Sequence, residues 1–217
     1  MKIALIGATG FVGSAILKEA LDRGHHVTAI ARHPENIRAE NANLSAVKGD
    51  VMVEDKLSEL LKGNDIVISA YNSGWSNPDI YNEYLKGAQS IQKAVKQSGV
   101  KRLIVVGGAG SLFIAPGIQL IDTPGFPDAW KAGAKAARDY LNIIRKEKEI
   151  EWTYLSPAIE MNPGSPHERK GTYRTDLDHP VFNADKKSTI SVEDLAVAII
   201  DEAENPRHIR TRFTVGY

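Results

Sequence analysis

The chain of 217 residues contains no cysteine. That absence removes disulfides, thiol nucleophiles and cysteine-held metal centres. It also has no excess charge: 27 Lys and Arg balance 27 Asp and Glu. Neither nucleic acid nor an anionic membrane surface is therefore an expected partner. No apolar run reaches the length of about eighteen residues that a membrane helix needs. The N-terminal apolar stretch stops at Gly7, too soon for the core of a signal peptide, and a cytoplasmic protein is expected. The six histidines (His25, His26, His33, His167, His179 and His208) show neither His-x-His nor His-Glu-x-x-His spacing. They read as surface turns, and no metal site is expected.

What is present begins at the first strand. Lys2–Ile6 is a short apolar run, followed by Gly7-Ala8-Thr9-Gly10-Phe11-Val12-Gly13 and then by Val12, Ile16, Leu17, Ala20 and Leu21 at helical spacing. Strand, glycine turn and helix in that order aim a helix N-terminus and its free N–H groups at a phosphate. Gly7 permits the tight turn, Gly10 lets backbone approach a diphosphate, and Gly13 lets the helix pack on the strand. Dinucleotide binding is the expectation.

The alternation continues along the chain. Strands are read at Val27–Ala31, Leu44–Lys48, Ile66–Ile68, Leu103–Val106, Trp152–Leu155 and Phe213–Val215. Helices are read at Glu54–Leu61, Pro78–Ser98, Trp130–Lys148 and from Ile190 through Ala203, with Ser191 as N-cap. Gly107 to Pro127, with five glycines and three prolines, has no period and reads as a long functional loop. His167–Lys187 reads as a polar hairpin over the carboxyl edge of the sheet. The whole of 1–217 is expected to be one α/β domain, a doubly wound parallel sheet in a three-layer αβα sandwich. Its substrate region would come from the 107–130 loop and the 160–190 segment.

The end of the second strand bears on the choice of nicotinamide nucleotide. An acidic residue there accepts from a ribose 2′-hydroxyl, and a basic one pairs with a 2′-phosphate. Ala31-Arg32-His33 has no carboxylate until Glu35. Arg32 suits bidentate phosphate contact, so NADP(H) is favoured and NAD(H) remains open. Asp50 and Val51 follow the third strand where an adenine edge would lie. Ser69-Ala70-Tyr71 ends the fourth, where small residues let ribose and diphosphate pass.

Gly7-Ala-Thr-Gly-Phe-Val-Gly13, Ala31-Arg32, Gly49-Asp50-Val51, Val106-Gly-Gly-Ala-Gly-Ser111, Leu155-Ser-Pro-Ala158 and Ile190-Ser-Val-Glu-Asp194 together resemble the atypical short-chain dehydrogenase/reductases. Within them the chain is similar to bacterial NADH-flavin reductases and to the biliverdin reductase B and flavin reductase type. The resemblance implies a Rossmann fold, a bound nicotinamide dinucleotide and hydride transfer to flavins or related planar acceptors. Carried over by position, the cofactor would lie against Gly7, Thr9, Gly10, Phe11, Val12, Arg32, Asp50, Val51, Ala70 and Pro157; Tyr71 and Gly107, at the ends of the fourth and fifth strands, are expected beside them.

The chain also departs from carbonyl-reducing relatives. Those pair a tyrosine with a lysine four residues later, which lowers the phenol's pKa for proton exchange with the substrate oxygen. None of the seven tyrosines has that lysine. The serine and histidine of the biliverdin reductase B site are also missing, with Gly108 and Ala158 at roughly those places. Ser111 is the one weak catalytic candidate, and the catalytic group stays unknown. Lys135, one turn before Asp139, reads as a solvated ion pair.

Hydride transfer to a flavin spreads charge over a ring that water can protonate, and so tolerates these absences. An acceptor wall is expected from Tyr71, Trp75, Ser111, Leu112, Phe113 and Trp130, with flavin as substrate rather than resident group. The competing reading is a non-catalytic, nucleotide-binding redox sensor of the NmrA-like type. A small-molecule substrate and a monomer or homodimer complete the expectation.

Overall fold

A computed structural model describes residues 1–217. Strand β1 (Lys2–Ile6) divides its side chains between two cores. Ile3 and Leu5 pack on one face of the sheet, Ala4 and Ile6 on the other. A strand buried on both faces reads as a continuous apolar run, which is why it stands out in the sequence.

Beyond β1 come α1 (Phe11–Asp22), β2 (His26–Ala31), β3 (Leu44–Lys48), α2 (Glu54–Leu61), β4 (Ile66–Ser69), α3 (Ile80–Ser98) and β5 (Arg102–Val106). Two short strands follow, β6 (Phe113–Ala115) and β7 (Ile118–Gln119), then α4 (Asp128–Ile144), β8 (Glu151–Ser156), β9 (Arg174–Asp176), α5 (Val192–Glu204) and β10 (Thr211–Gly216). The main sheet runs β3-β2-β1-β4-β5-β8-β10-β9. Every pairing is parallel except β9 on β10. α1 and α5 cover one face, with Ile16, Leu17, Leu195 and Ile199 in its core. α2, α3 and α4 cover the other with Leu57, Ile91 and Leu141. Burial of each such aliphatic side chain contributes about 1.5–3 kcal/mol. The result is a doubly wound Rossmann sandwich. Its chain order reverses between β1 and β4, and ligands of such sheets sit at that reversal, outside the carboxyl ends of the strands.

Two stretches differ from their sequence reading. Residues 107–127 hold two 3-10 turns and the β6–β7 hairpin rather than an unstructured loop. Strands of three and two residues are too short to show a period. The 167–187 stretch is not a hairpin: its single strand, β9, adds antiparallel to β10 at the sheet edge. Helix α4 also begins two residues earlier than the apolar pattern indicates and ends at Ile144 rather than Lys148.

Candidate functional site

The turn after β1 is shaped by two close approaches. Gly7 has φ +85°, a conformation L side chains avoid, and a β-carbon there would come within 2.6 Å of the Ala70 carbonyl oxygen at the end of β4. A β-carbon at Gly13 would collide with the Gly7 carbonyl. The turn closes when the Gly10 amide donates to Gly7 O at 3.0 Å, and Ser14 N then donates to Gly10 O at 2.9 Å. The amides of Phe11, Val12 and Gly13 have no acceptor within the protein, and no side chain caps the helix. No acidic residue stands in the first turn of α1. Three free N–H groups at the positive end of a helix, beside exposed Thr9 and Gly10, suit a diphosphate.

Neighbouring strand ends bring the other predicted cofactor residues to the same edge. Arg32, just past β2, is exposed and forms no ion pair, whereas Glu35 is engaged by His33 at 3.0 Å. Arg38, on the same loop, is likewise exposed and unpaired. Asp50 turns its own backbone by accepting from Met52 N at 2.9 Å. Val51 is buried, and its carbonyl accepts from Ser90 Oγ at 2.5 Å. Tyr71 lies close enough to Arg32 and Asp50 to feel both charges. Its ring rests where a side chain at Gly87 would go, and its hydroxyl donates to Glu83 O at 3.1 Å. Tyr71 therefore stands on the Arg32–Asp50 side of the crevice, packed on α3.

Gly107 ends β5 against the ring of Tyr154, which fills the space of any side chain there. Pro157, buried, follows β8. Small residues of α4 receive the turn that comes next: Ala137 lies beneath Gly108 and Ala134 beneath Gly110.

The acceptor wall is only partly as expected. Trp75 and Trp130 are 61% and 53% exposed, and the Trp75 ring edge overlies Gly133 of α4. Both indoles stand near the start of that helix. Phe113 is half-buried beside His179. Leu112, by contrast, has no exposed surface and faces inward, so it lines no open wall. Ser111 is also buried; its hydroxyl accepts from Arg212 Nη1 at 3.3 Å, and Arg212 in turn binds the Asp178 carboxylate. Buried and bonded to Arg212, the Ser111 hydroxyl presents no exposed surface to a substrate.

All seven tyrosines are accounted for, and every phenol is shifted upward. Burial drives the shift for Tyr71 (to about 12), Tyr84, Tyr140, Tyr154, Tyr173 and Tyr217; for Tyr81 it is the hydrogen bond to Asp139. Lys135 does not pair with Asp139. Its ammonium sits 5.4 Å above the Tyr81 ring, while the Tyr81 hydroxyl donates to Asp139 at 2.8 Å. Two histidines also differ from the surface reading: His25 is buried against Glu204, and His208 binds Glu202 at 2.8 Å while stacking on Phe213.

A groove of about 430 Å³ along β9 is lined by Thr175, Asp176, Leu177, Asp178, His179 and His208. It is polar, contains no helix N-terminus and lies away from the crevice at the β1–β4 reversal.

A family model described as NAD(P)H-binding matches residues 7–206, beginning at the first glycine of the turn. The chain belongs to that NAD(P)H-binding family. Among its relatives, the uncharacterized protein YwnB of Bacillus subtilis is 38% identical over 99% of this chain and 98% of its own. A solved “putative epimerase” from Bacteroides thetaiotaomicron shares 51% identity, with a TM-score of 0.91 over 100% of this chain and 96% of that one. A “putative NADH-flavin reductase” from Streptococcus pneumoniae shares 35% identity, with a TM-score of 0.86 over 100% and 99%. The family assignment agrees with the free amides opening α1. No helix is long and apolar enough to cross a membrane.

Proposed function

We propose that this NAD(P)H-binding protein is an oxidoreductase that passes hydride to a flavin or a similar planar conjugated acceptor, with NADP(H) the preferred donor. The observation that carries the choice of acceptor is that none of the seven tyrosines has a lysine four residues later. Carbonyl reduction by the tyrosine–lysine route needs that lysine to lower the phenol's pKa, and this chain has no such pair. A conjugated ring can take its proton from water. The similarity to the Streptococcus protein supports the same reading.

The bound nucleotide would supply the hydride. The chain's own residues would do the rest. Phe11, Val12 and Gly13 amides hold the diphosphate. Gly7 and Ala70 leave room for it, Arg32 and Arg38 offer cations to a 2′-phosphate, and Asp50 with Tyr71 flanks the adenosine. Gly107 and Pro157 border the far end of the crevice. Trp75 and Trp130 present flat apolar surface on which an acceptor ring can stack and exclude water.

The test is NADPH oxidation with and without FMN, followed by loss of the reduced-nicotinamide absorbance. FMN-dependent turnover supports the proposal. Nucleotide binding without any acceptor-dependent oxidation supports the sensor reading instead, which the exposed Ile114 and Ile118 on the β6–β7 hairpin also favour as a partner-facing patch.

A further inference from the structure

Residues 163–171 form a strap that crosses from α5 toward the opening of α1. Its far end is tied down twice. Arg169 reaches Glu19 of α1 through two bonds of 2.8 Å, and the amides of Lys170 and Gly171 donate to the two oxygens of buried Asp194 at 3.1 and 2.7 Å. These ties fix where His167 can go. Its ring meets the Phe11 ring edge-on, with centroids 5.9 Å apart and planes at 89°. Phe11 is the first residue of α1, and its amide is one of the three without an acceptor.

Both ring nitrogens of His167 face oxygens that only accept. Nδ1 lies 3.0 Å from Glu193 Oε1, and Nε2 lies 3.4 Å from the Pro163 carbonyl. A neutral imidazole has one N–H and could serve only one of them. The other Glu193 oxygen is buried without a hydrogen-bond partner, so the charge of that carboxylate is directed at His167. Both contacts favour the imidazolium form of His167, a short one through Nδ1 and a long, exposed and exchangeable one through Nε2. The charged neighbours are Glu193 on α5, Glu168, Arg169 and Lys170 within the strap, and Glu19 of α1, which is taken up by Arg169; the α1 group against the His167 ring is Phe11.

We infer that the 163–171 strap closes over the bound dinucleotide, with His167 donating from Nε2 to its diphosphate while Nδ1 stays on Glu193. This rests on the placement of the diphosphate at α1. The Pro163 carbonyl holds the proton-bearing nitrogen in the absence of nucleotide and releases it on binding. The partner of Glu193 on this side of the crevice is thus a specific nucleotide-positioning residue.

Calorimetric titration of the full chain with NADP⁺ tests this, using the unsubstituted protein, His167→Gln and His167→Arg at several pH values. The glutamine variant should bind roughly tenfold more weakly near pH 6, the size of one charge-assisted hydrogen bond. The unsubstituted protein should approach it as pH rises and the cation is lost. Titration of the 2′-phosphate is common to all three proteins and cancels in their ratios. His167→Arg should keep the tighter affinity across the range, which a purely structural role for the ring would not produce. Equal affinity and equal pH slope in the unsubstituted and glutamine proteins overturn the strap and leave nucleotide binding standing. No binding by the unsubstituted protein overturns both.

Discussion

The ring of Tyr154 occupies the volume that any side chain at Gly107 would need, and its hydroxyl is fixed by donation to Ala137 O at 2.9 Å. Strands β5 and β8 and helix α4 thus meet at one point beside the crevice. Gly107→Ala must displace a fully buried ring. A loss of about 1–3 kcal/mol is expected from overpacking, read as a lower urea midpoint with an unchanged slope.

Arg32 stands exposed and unpaired where a 2′-phosphate would lie, and the first carboxylate after it in the chain, Glu35, is engaged by His33. For Arg32→Ala, the ratio of kcat/KM for NADPH over NADH should fall by about 10- to 100-fold, the worth of a hydrogen bond to a charged group. An unchanged ratio would remove the assignment of NADP(H).

The two exposed indoles should act on the acceptor alone. Trp75→Ala and Trp130→Ala are each expected to raise KM for FMN by about 2- to 10-fold, the range of an aromatic stacking contact. KM for NADPH should not move, since Trp75 packs on Gly133 of α4 and Trp130 belongs to that helix. Steady-state kinetics with each substrate varied in turn separates the two effects.

Glu19 on α1 is buried, and the hydrogen bond from Arg169, opposed by burial and reinforced by Arg23, lowers its pKa from 4.5 to about 2. A depressed carboxylate stabilises the fold above its unfolded pKa, and that stabilisation is lost as pH falls through the folded one. Thermal midpoints should therefore drop between pH 4.5 and about 2. Glu19→Gln should show a lower midpoint at neutral pH and a flatter profile in that window. Parallel profiles for the two proteins would contradict the ion-pair account.

Some of this could be read directly from the chain. The β1–turn–α1 unit was legible because a doubly buried strand is continuously apolar and because Gly7 and Gly13 are forced by backbone approach. Ser191 as the cap of α5 was legible for a similarly local reason; its hydroxyl accepts from Asp194 N at 3.0 Å. What escaped depends on partners far away in sequence. Ser111 looks like a free hydroxyl until Arg212, from the last strand, is folded onto it. Lys135 looks paired with Asp139 until Tyr81 arrives from α3. His25 and His208 look like turn residues, yet each finds a carboxylate of α5. His167 gave no local signal, because its relation to Phe11 is made only by the strap.

The amide chemical shifts of Phe11, Val12 and Gly13 test the placement of the diphosphate most directly. On titration of the 15N-labelled protein with NADP⁺, these three resonances should move downfield as their N–H groups acquire an acceptor, and they should lead the response of the whole chain. Shifts confined to the groove around Asp176–His179, with the three amides unmoved, would contradict the account.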